Sequence, residues 1–237
     1  MSAWIETATP SMSVFTYPVE GLRRVLIPQK CGWTLAWDSL PRWNGRVVID
    51  SNDYPAKNLD AMFVREPVAR FMSAFRNKIQ FGWKSYPKDA DGQFNRYSGI
   101  QWIGRVCGIH PDRVQEYVTV SLMLDVLEDI IKKKPKAPFS HDILDPHWSP
   151  QSWHAAPGHI PGLLIDPRND FSVLDRLKID YSTHNHNNTS RYGGYQPTPE
   201  EVARIKALYA CDVELYAQYQ HDYALRQLSA QRRSGVH

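Results

Sequence analysis

The chain has 237 residues, and its 28 lysines and arginines nearly balance its 25 aspartates and glutamates, for a formal net charge of +3. This balance argues against a nucleic-acid-binding protein, whose binding face is normally rich in basic side chains. The length suffices for one hydrophobic core, and no repeat or Gly/Ser-rich linker divides the sequence. We therefore predict a single α/β domain over residues 1–237.

Two further features concern the cellular compartment. No apolar run approaches the ~20 residues that a membrane-spanning helix needs, and the N-terminus does not resemble a signal peptide. The three cysteines, Cys31, Cys107 and Cys211, are odd in number and far apart, which favours reduced thiols over a disulfide framework. We expect a cytoplasmic protein without a membrane span.

The first candidate site is the segment PQKCGWTLAW, which follows an apolar run at residues 24–27. That run predicts a strand, and residues 33–40 predict a helix. Lys30, Gly32 and Thr34 stand at the connection between them. A glycine lets the backbone close on an anion, the N–H groups at a helix N-terminus point at it, and a lysine adds a mobile positive charge. This spacing predicts an anion-binding loop.

The second candidate site is the segment VREPVARFMSAF. Residues 61–64 predict a strand, Arg65 stands at its carboxyl end, and Pro67 suits the first position of a helix. Arg70 and Ser73 share one face of this helix. The opposite face carries the apolar side chains Val68, Phe71, Met72, Phe75 and Ile79. Ligands bind beyond the carboxyl ends of parallel strands, and a guanidinium with a helical hydroxyl suits a phosphate.

Together these motifs identify a family resemblance. R-x-P-x-x-R-x-x-S, from Arg65 to Ser73, resembles the 3′-phosphate motif of sulfotransferases, above all the carbohydrate sulfotransferases of the chondroitin and HNK-1 type. Lys30, Gly32 and Thr34 match the family's 5′-phosphosulfate loop, although Gln29 intervenes where the family usually has proline directly before the lysine. The resemblance implies a P-loop-like fold with a central parallel sheet flanked by helices. Animal Golgi members carry a membrane anchor, for which this sequence shows no apolar run, so we expect either a soluble bacterial or viral version, which is favoured, or a catalytic fragment.

The resemblance also implies the chemistry. The donor is 3′-phosphoadenosine 5′-phosphosulfate (PAPS), no metal is required, and the acceptor is a hydroxyl or amine, with carbohydrate favoured. Lys30 is expected to act catalytically on the departing 5′-phosphate, and Arg65 with Ser73 to bind the 3′-phosphate. Arg70 either joins them or braces its helix. The implied donor-binding residues are Lys30, Cys31, Gly32, Trp33, Thr34, Leu35, Arg65, Arg70 and Ser73.

Two later segments resemble further parts of the family. LDPHWSPQSW (residues 144–153) resembles an acceptor-side loop, and its two tryptophans predict aromatic walls that stack on a sugar or an adenine. His147 in this segment is the expected general base, and Asp50, at the end of a predicted strand over 46–49, is the alternative. NHNNTSRYGG (residues 185–194) resembles a loop that covers the bound nucleotide.

Two long helices are predicted in the remaining sequence. Residues 111–132 have a broad apolar side, and Pro135 follows them. Residues 198–201 form a capping box that starts the last helix. We expect the tyrosines that recur along one face of this helix to be buried in the core. We expect residues 228–237 to form a frayed tail.

Three other functional classes fit the sequence less well. A phosphate-loop kinase requires a Gly-Lys pair, which the sequence lacks. A metal-dependent hydrolase stays open because of the many histidines, although H-E-x-x-H and C-x-x-C are missing from the sequence. A non-catalytic nucleotide- or glycan-binding module that keeps the phosphate loops is the other alternative. The histidines in question are His141, His147, His154, His159, His184 and His186.

Overall fold

The computed structural model describes residues 13–19, 22–32, 47–48, 56–80, 99–133, 144–177, 179 and 194–234. The chain divides into two compact units, each described by itself below. The first comprises Met1–Glu66, Pro150–Thr183 and Ala210–His237. The second comprises Pro67–Ser149 and His184–Tyr209. The expectation of a single domain stays a prediction.

The first unit contains a five-stranded sheet in the order β3-β1-β2-β4-β5. Its strands are β1 (Ser13–Val19), β2 (Leu22–Ile27), β3 (Val47–Val48), β4 (Ala61–Phe63) and β5 (Leu163–Ile165). Strand β1 is antiparallel to both neighbours, whereas β2, β4 and β5 run parallel. The predicted parallel sheet is confirmed for the three strands β2, β4 and β5. The predicted strands over 24–27 and 61–64 match β2 and β4.

Successive side chains of a strand point to opposite faces of the sheet, and the parallel strands are buried on both faces. One face packs against α5 (Phe171–Arg176), and the other against α7 (Ala210–Ser234). The strand residues on the α5 side are Val25, Ile27, Ala61, Phe63 and Ile165, with Leu163 partly buried. Those on the α7 side are Leu26, Met62, Val64 and Leu164. The carboxyl ends of β2, β4 and β5 therefore meet at one edge of a two-sided core.

The second unit is helical in its described part. Its α-helices are α1 (Pro67–Phe75), α2 (Gly99–Cys107), α3 (Val114–Tyr117), α4 (Val120–Lys133) and α6 (Pro199–Leu208). A π-helical turn, Arg76–Gln80, continues α1, and α6 packs against both α1 and α4. The predicted start of α1 at Pro67 is confirmed, as is the burial of most of its apolar face.

The single helix predicted over 111–132 is wrong. A 3-10 turn (Pro111–Arg113) and α3 are separated from α4 by Val118, which has an extended backbone (φ −85°, ψ 107°). The Thr119 hydroxyl accepts a hydrogen bond from the Leu122 N–H at 3.1 Å and so caps α4. Threonine favours such caps over helix interiors, and the apolar periodicity alone did not reveal this break.

The predicted capping box is confirmed. Thr198 Oγ1 accepts from the Glu201 N–H at 3.2 Å, and Glu201 Oε2 accepts from the Thr198 N–H at 2.9 Å. The helix that follows breaks at Tyr209 (φ −108°, ψ 37°) and resumes as α7, which continues to Ser234 through part of the expected tail. Tyr209, Tyr216 and Tyr219 are buried, as the predicted core role requires. No helix among the described residues is long and apolar enough to cross a bilayer.

Candidate functional site

The loop after β2 has an unusual backbone. The Cys31 N–H donates to the Pro28 carbonyl at 3.1 Å and closes a turn in which Lys30 has φ 67°, and Gly32, directly after the turn, has φ 101°. A left-handed conformation costs a side-chain-bearing residue such as lysine about 1–2 kcal/mol and persists where its surroundings impose it, often at functional sites. Turns of mixed handedness are also typical of backbone that binds anions.

Gly32 is required at its position by shape as well as by conformation. A Cβ at this position would lie 3.0 Å from Cγ of Pro167 and 3.4 Å from Cδ2 of Phe63. Phe63 is the last residue of β4, and Pro167 follows β5. The loop therefore lies directly on the carboxyl ends of the two neighbouring parallel strands.

Arg65 joins this loop from the end of β4. Its Nη1 donates to the Lys30 carbonyl oxygen at 3.1 Å, so the structure brings together the basic residues of both sequence motifs. The reason is topological: β2 and β4 are adjacent and parallel, and their carboxyl ends lie at the same edge of the sheet.

Gln151 fixes this arrangement, a role that the sequence reasoning missed. Its Oε1 accepts the Arg65 N–H at 3.0 Å and the Cys31 thiol at 3.1 Å, while its Nε2 donates to the Arg65 carbonyl at 2.8 Å. The side chains of Gln151 and Cys31 are fully buried. A single amide thus ties the end of β4 to the loop after β2.

Asp212 on α7 in turn holds Gln151. Its buried carboxylate accepts the Gln151 N–H at 2.7 Å, the Ser152 N–H at 2.9 Å and the Ser152 hydroxyl at 2.7 Å. The sequence did contain a signal for this contact, since Asp212 interrupts the otherwise apolar stripe of the last helix. A carboxylate in such a stripe must find donors when it is buried.

One turn later on α7, Tyr216 holds the residue that follows β5, Asp166, by a hydrogen bond. Its hydroxyl donates to Asp166 Oδ2 at 2.8 Å, and burial together with this carboxylate raises the pKa of Tyr216, so the phenol stays a donor. Asp166 also binds the guanidinium of Arg168, from Nη2 to Oδ2 at 2.7 Å. Helix α7 therefore braces the carboxyl ends of two parallel strands.

Arg70 lies in the second unit and is buried, with 2% of its surface exposed. Its Nη1 donates to the Ser149 carbonyl at 2.7 Å and its Nη2 to the Pro146 carbonyl at 3.2 Å. These two contacts tie α1 to the loop 145–149, and a contact of Arg70 with the 3′-phosphate stays a prediction. Ser73, one turn further along α1, is partly buried.

His147 lies in the loop that Arg70 braces. Oδ1 of Asp145 accepts the His147 backbone N–H at 2.8 Å and contacts His147 Nδ1 at 2.7 Å. The side chain of His147 is 17% exposed and that of Asp145 is 6% exposed. Burial alone raises the pKa of Asp145, but the interactions with His147 and Lys78 outweigh it and bring the pKa to about 2. Asp145 is therefore ionised at neutral pH.

The prediction of an aromatic-walled sugar platform is wrong for Trp148. Its ring is fully buried and meets Phe71 edge-on, with ring centroids 5.4 Å apart. The Trp148 carbonyl accepts the Tyr209 hydroxyl at 2.6 Å. This tryptophan anchors the loop in the core, and Trp153, the other tryptophan of the segment, is partly exposed.

The sulfotransferase family model matches residues 46–165, half of the chain. The chain belongs to the sulfotransferase family. Members of this family generally use PAPS, and the membership implies PAPS-dependent sulfotransferase activity. The matched range contains Arg65, Arg70, Ser73 and His147, whereas Lys30 precedes it. No curated protein and no solved structure matches the chain.

The described residues of this sulfotransferase suit an anionic donor. The loop at Lys30 leaves little room for a side chain at Gly32, and the Arg65 guanidinium contacts the Lys30 carbonyl at the edge where the strands end. The predicted residues Trp33, Thr34, Leu35 and Asp50 lie outside the described residues, as does the loop 185–193. Within the described ranges, no group of three or more His, Cys, Asp or Glu side chains is arranged to hold a metal ion.

Proposed function

We propose that the chain transfers the sulfuryl group of PAPS to a hydroxyl group of a carbohydrate acceptor. The observation that carries the donor half of this proposal is the hydrogen bond from Arg65 Nη1 to the Lys30 carbonyl at 3.1 Å, locked by Gln151. This contact supports the proposal because the two basic residues then belong to the sheet edge at which α/β proteins bind phosphorylated ligands.

Each donor-binding residue has a proposed role. The backbone N–H groups from Gly32 to Leu35, with the Thr34 hydroxyl, hold the 5′-phosphate. Arg65 and Ser73 bind the 3′-phosphate, and a guanidinium is suited to this because it presents two parallel donors to the phosphate oxygens. Arg70 contributes by bracing α1 and the loop 145–149 rather than by direct contact.

The reaction is a displacement at sulfur. An acceptor oxygen forms the new S–O bond, the S–O bond to the 5′-phosphate breaks, and its electron pair leaves with 3′-phosphoadenosine 5′-phosphate. The acceptor proton passes to His147. Lys30 stabilises the charge that builds on the departing phosphate, which is the main requirement of such a loose transition state. The proposal needs no metal, because the lysine and the loop N–H groups supply the positive charge.

The choice of a carbohydrate acceptor rests on the resemblance to the chondroitin and HNK-1 type enzymes. The D-x-H-W pattern in the segment 144–153 supports a carbohydrate acceptor. Stacking of a sugar on Trp148 gives no support, because that ring is buried. An amine, a phenol or a peptide tyrosine is therefore included in the test.

The test is turnover of ³⁵S-labelled PAPS with a panel of glycans, phenols and peptides. We expect label in one class of glycan and a loss of at least about a hundredfold in turnover for Lys30→Ala, the lower range for removing a charge-stabilising group. Arg105→Ala, an exposed arginine of α2, is the control and should keep full activity. Tight nucleotide binding without transfer to any acceptor would instead favour the binding module.

A further inference from the structure

We infer that Asp145 is a positioning residue for His147, which fixes the ring so that Nε2 accepts the acceptor proton. This inference rests on the proposed sulfuryl transfer and adds a residue to which no role was assigned. It starts from a single oxygen atom: Oδ1 of Asp145 contacts both the backbone N–H and the Nδ1 of His147, at 2.8 and 2.7 Å. One acceptor thereby fixes both the main chain and the orientation of the imidazole.

The tautomer follows from the chemistry of this contact. An ionised carboxylate has no proton to donate, so the neutral imidazole must carry its hydrogen on Nδ1 to make a hydrogen bond. The lone pair of the ring is then on Nε2, the atom that acts as a base. Asp145 is nearly completely buried, and its low pKa keeps it ionised throughout the neutral range.

Two further charged side chains surround the Asp145–His147 pair. Lys78, on the π-helical turn after α1, interacts with Asp145, and Arg70 binds the carbonyls of Pro146 and Ser149 in the same loop. Burial lowers the pKa of Lys78, and Asp145 raises it in part. Lysine and aspartate therefore stabilise each other's charged forms, and the carboxylate is not dependent on His147 alone for a countercharge.

The loop itself is held rigidly. Arg70 binds the carbonyls of Pro146 and Ser149, and Tyr209 binds that of Trp148. The Trp148 N–H also donates to the Asp145 carbonyl at 2.9 Å. A base placed on such a fixed support keeps its orientation, which is the condition for efficient proton transfer.

As the acceptor oxygen bonds to sulfur, its proton moves to Nε2 of His147, and the ring becomes an imidazolium. The negative charge of Asp145 compensates the new positive charge, so no unpaired charge is created at the loop. Release of the same proton to solvent returns the neutral ring for the next turnover.

The first test is the tautomer of His147, which is independent of activity. Long-range ¹H–¹⁵N correlation of histidine-labelled protein reports which ring nitrogen carries the hydrogen, and the His147→Gln spectrum assigns the signal among the nine histidines. We expect the Nδ1–H form for His147. The exposed pair His110–Asp112, with 3.7 Å between Nδ1 and Oδ2, is the control for which Asp112→Asn should change nothing at His147.

The second test is kinetic. Asp145→Asn keeps an oxygen for the backbone N–H but loses the charge, so we expect kcat to fall about tenfold or more, with the KM for PAPS changed by less than twofold and the acid limb of the pH profile at lower pH. If Asp145 acts through His147, the double variant Asp145→Asn/His147→Gln loses no more activity than His147→Gln alone.

The outcomes separate the two proposals. An Nε2–H tautomer in the wild type, or fully additive losses in the double variant, would overturn the role of Asp145. If the wild type neither binds PAPS nor turns it over, the proposed function is wrong. The tautomer of His147 then still shows whether Asp145 positions the ring.

Discussion

Gln151 and Arg65 exchange two hydrogen bonds in opposite directions: the side-chain oxygen of Gln151 accepts the Arg65 N–H, and its amide nitrogen donates to the Arg65 carbonyl. The glutamine thus pairs with β4 as a neighbouring strand would. Because the same oxygen also accepts the Cys31 thiol, the loop after β2 and the end of β4 share one buried support. The site is therefore built on the sheet edge and does not depend on loop side chains alone.

Removing this support should destabilise the protein. We expect Gln151→Ala to lower the free energy of unfolding by about 2–4 kcal/mol, because the partly buried N–H and C=O groups of Arg65 lose their partner. Urea denaturation measures the change, with Gln218→Ala on the exposed side of α7 as the control. A loss below about 0.5 kcal/mol would show that the amide is not a support.

The size-conserving variant Gln151→Glu adds a pH dependence. At pH 8 the buried carboxylate cannot donate to the Arg65 carbonyl, whereas a protonated carboxyl group can. We therefore expect the stability deficit of Gln151→Glu against the wild type to be larger at pH 8 than at pH 5. Denaturation curves at the two pH values test this, and a deficit that does not change between them contradicts it.

Glycine and alanine at position 30 should differ in stability but not in turnover. Lys30→Gly relieves the left-handed strain at φ 67°, while Lys30→Ala keeps it, so we expect the glycine variant to be the more stable by about 1 kcal/mol. Both variants lose the amine and should lose turnover to the same extent.

Asn58 provides the matched control for Lys30. It is exposed and also has a positive φ, 51°. Asn58→Gly and Asn58→Ala should show the same order of stability, with turnover unaffected. If Lys30→Gly kept wild-type turnover, the lysine would have no role at the departing phosphate.

Gly32 should tolerate alanine less than another left-handed glycine. Gly32 combines φ 101° with the contact to Pro167, whereas Gly158 has φ 75° and open space around it. We expect Gly158→Ala to cost about 1 kcal/mol of stability and Gly32→Ala about 2–4 kcal/mol. Adding Pro167→Ala to Gly32→Ala should recover part of the loss. Equal costs at the two glycines would rule out the steric contribution.

Asp145 should make stability fall in acid. Its pKa of about 2 in the folded protein lies below the ordinary value of 3.8. The contribution of about 2 kcal/mol is thus complete above pH 3.8 and is lost as the pH falls through 2. The difference in unfolding free energy between the wild type and Asp145→Asn should shrink from pH 5 to pH 2.5. A difference that is constant over this range contradicts the assignment.

Local patterns were sufficient for much of the fold and for the two phosphate motifs. Short apolar runs indicate β2 and β4, Pro67 indicates the start of α1, and the parallel order of strands brings Lys30 and Arg65 to one edge. Each of these features depends on residues that are close in sequence, or on a topology that few alternatives satisfy.

The misses depend on contacts that are distant in sequence. A tryptophan in a Pro-rich loop reads as a surface ring, and the burial of Trp148 depends on Phe71 and Tyr209, which come from other elements. The role of Gln151 could not be predicted for the same reason, because no local sequence pattern indicates which backbone groups a single glutamine will bind. Asp212 was the available signal, since a carboxylate in an apolar stripe indicates buried donors nearby.

The central claim is that Arg65 recognises the 3′-phosphate of the donor, and calorimetric titration with 3′-phosphoadenosine 5′-phosphate and with adenosine 5′-monophosphate tests it most directly. The two nucleotides differ by the 3′-phosphate alone. The account predicts that the wild type prefers the first, and that Arg65→Ala loses roughly tenfold or more of that preference while it binds the monophosphate unchanged. Equal binding of both nucleotides by the wild type, or an undiminished preference in Arg65→Ala, would contradict it.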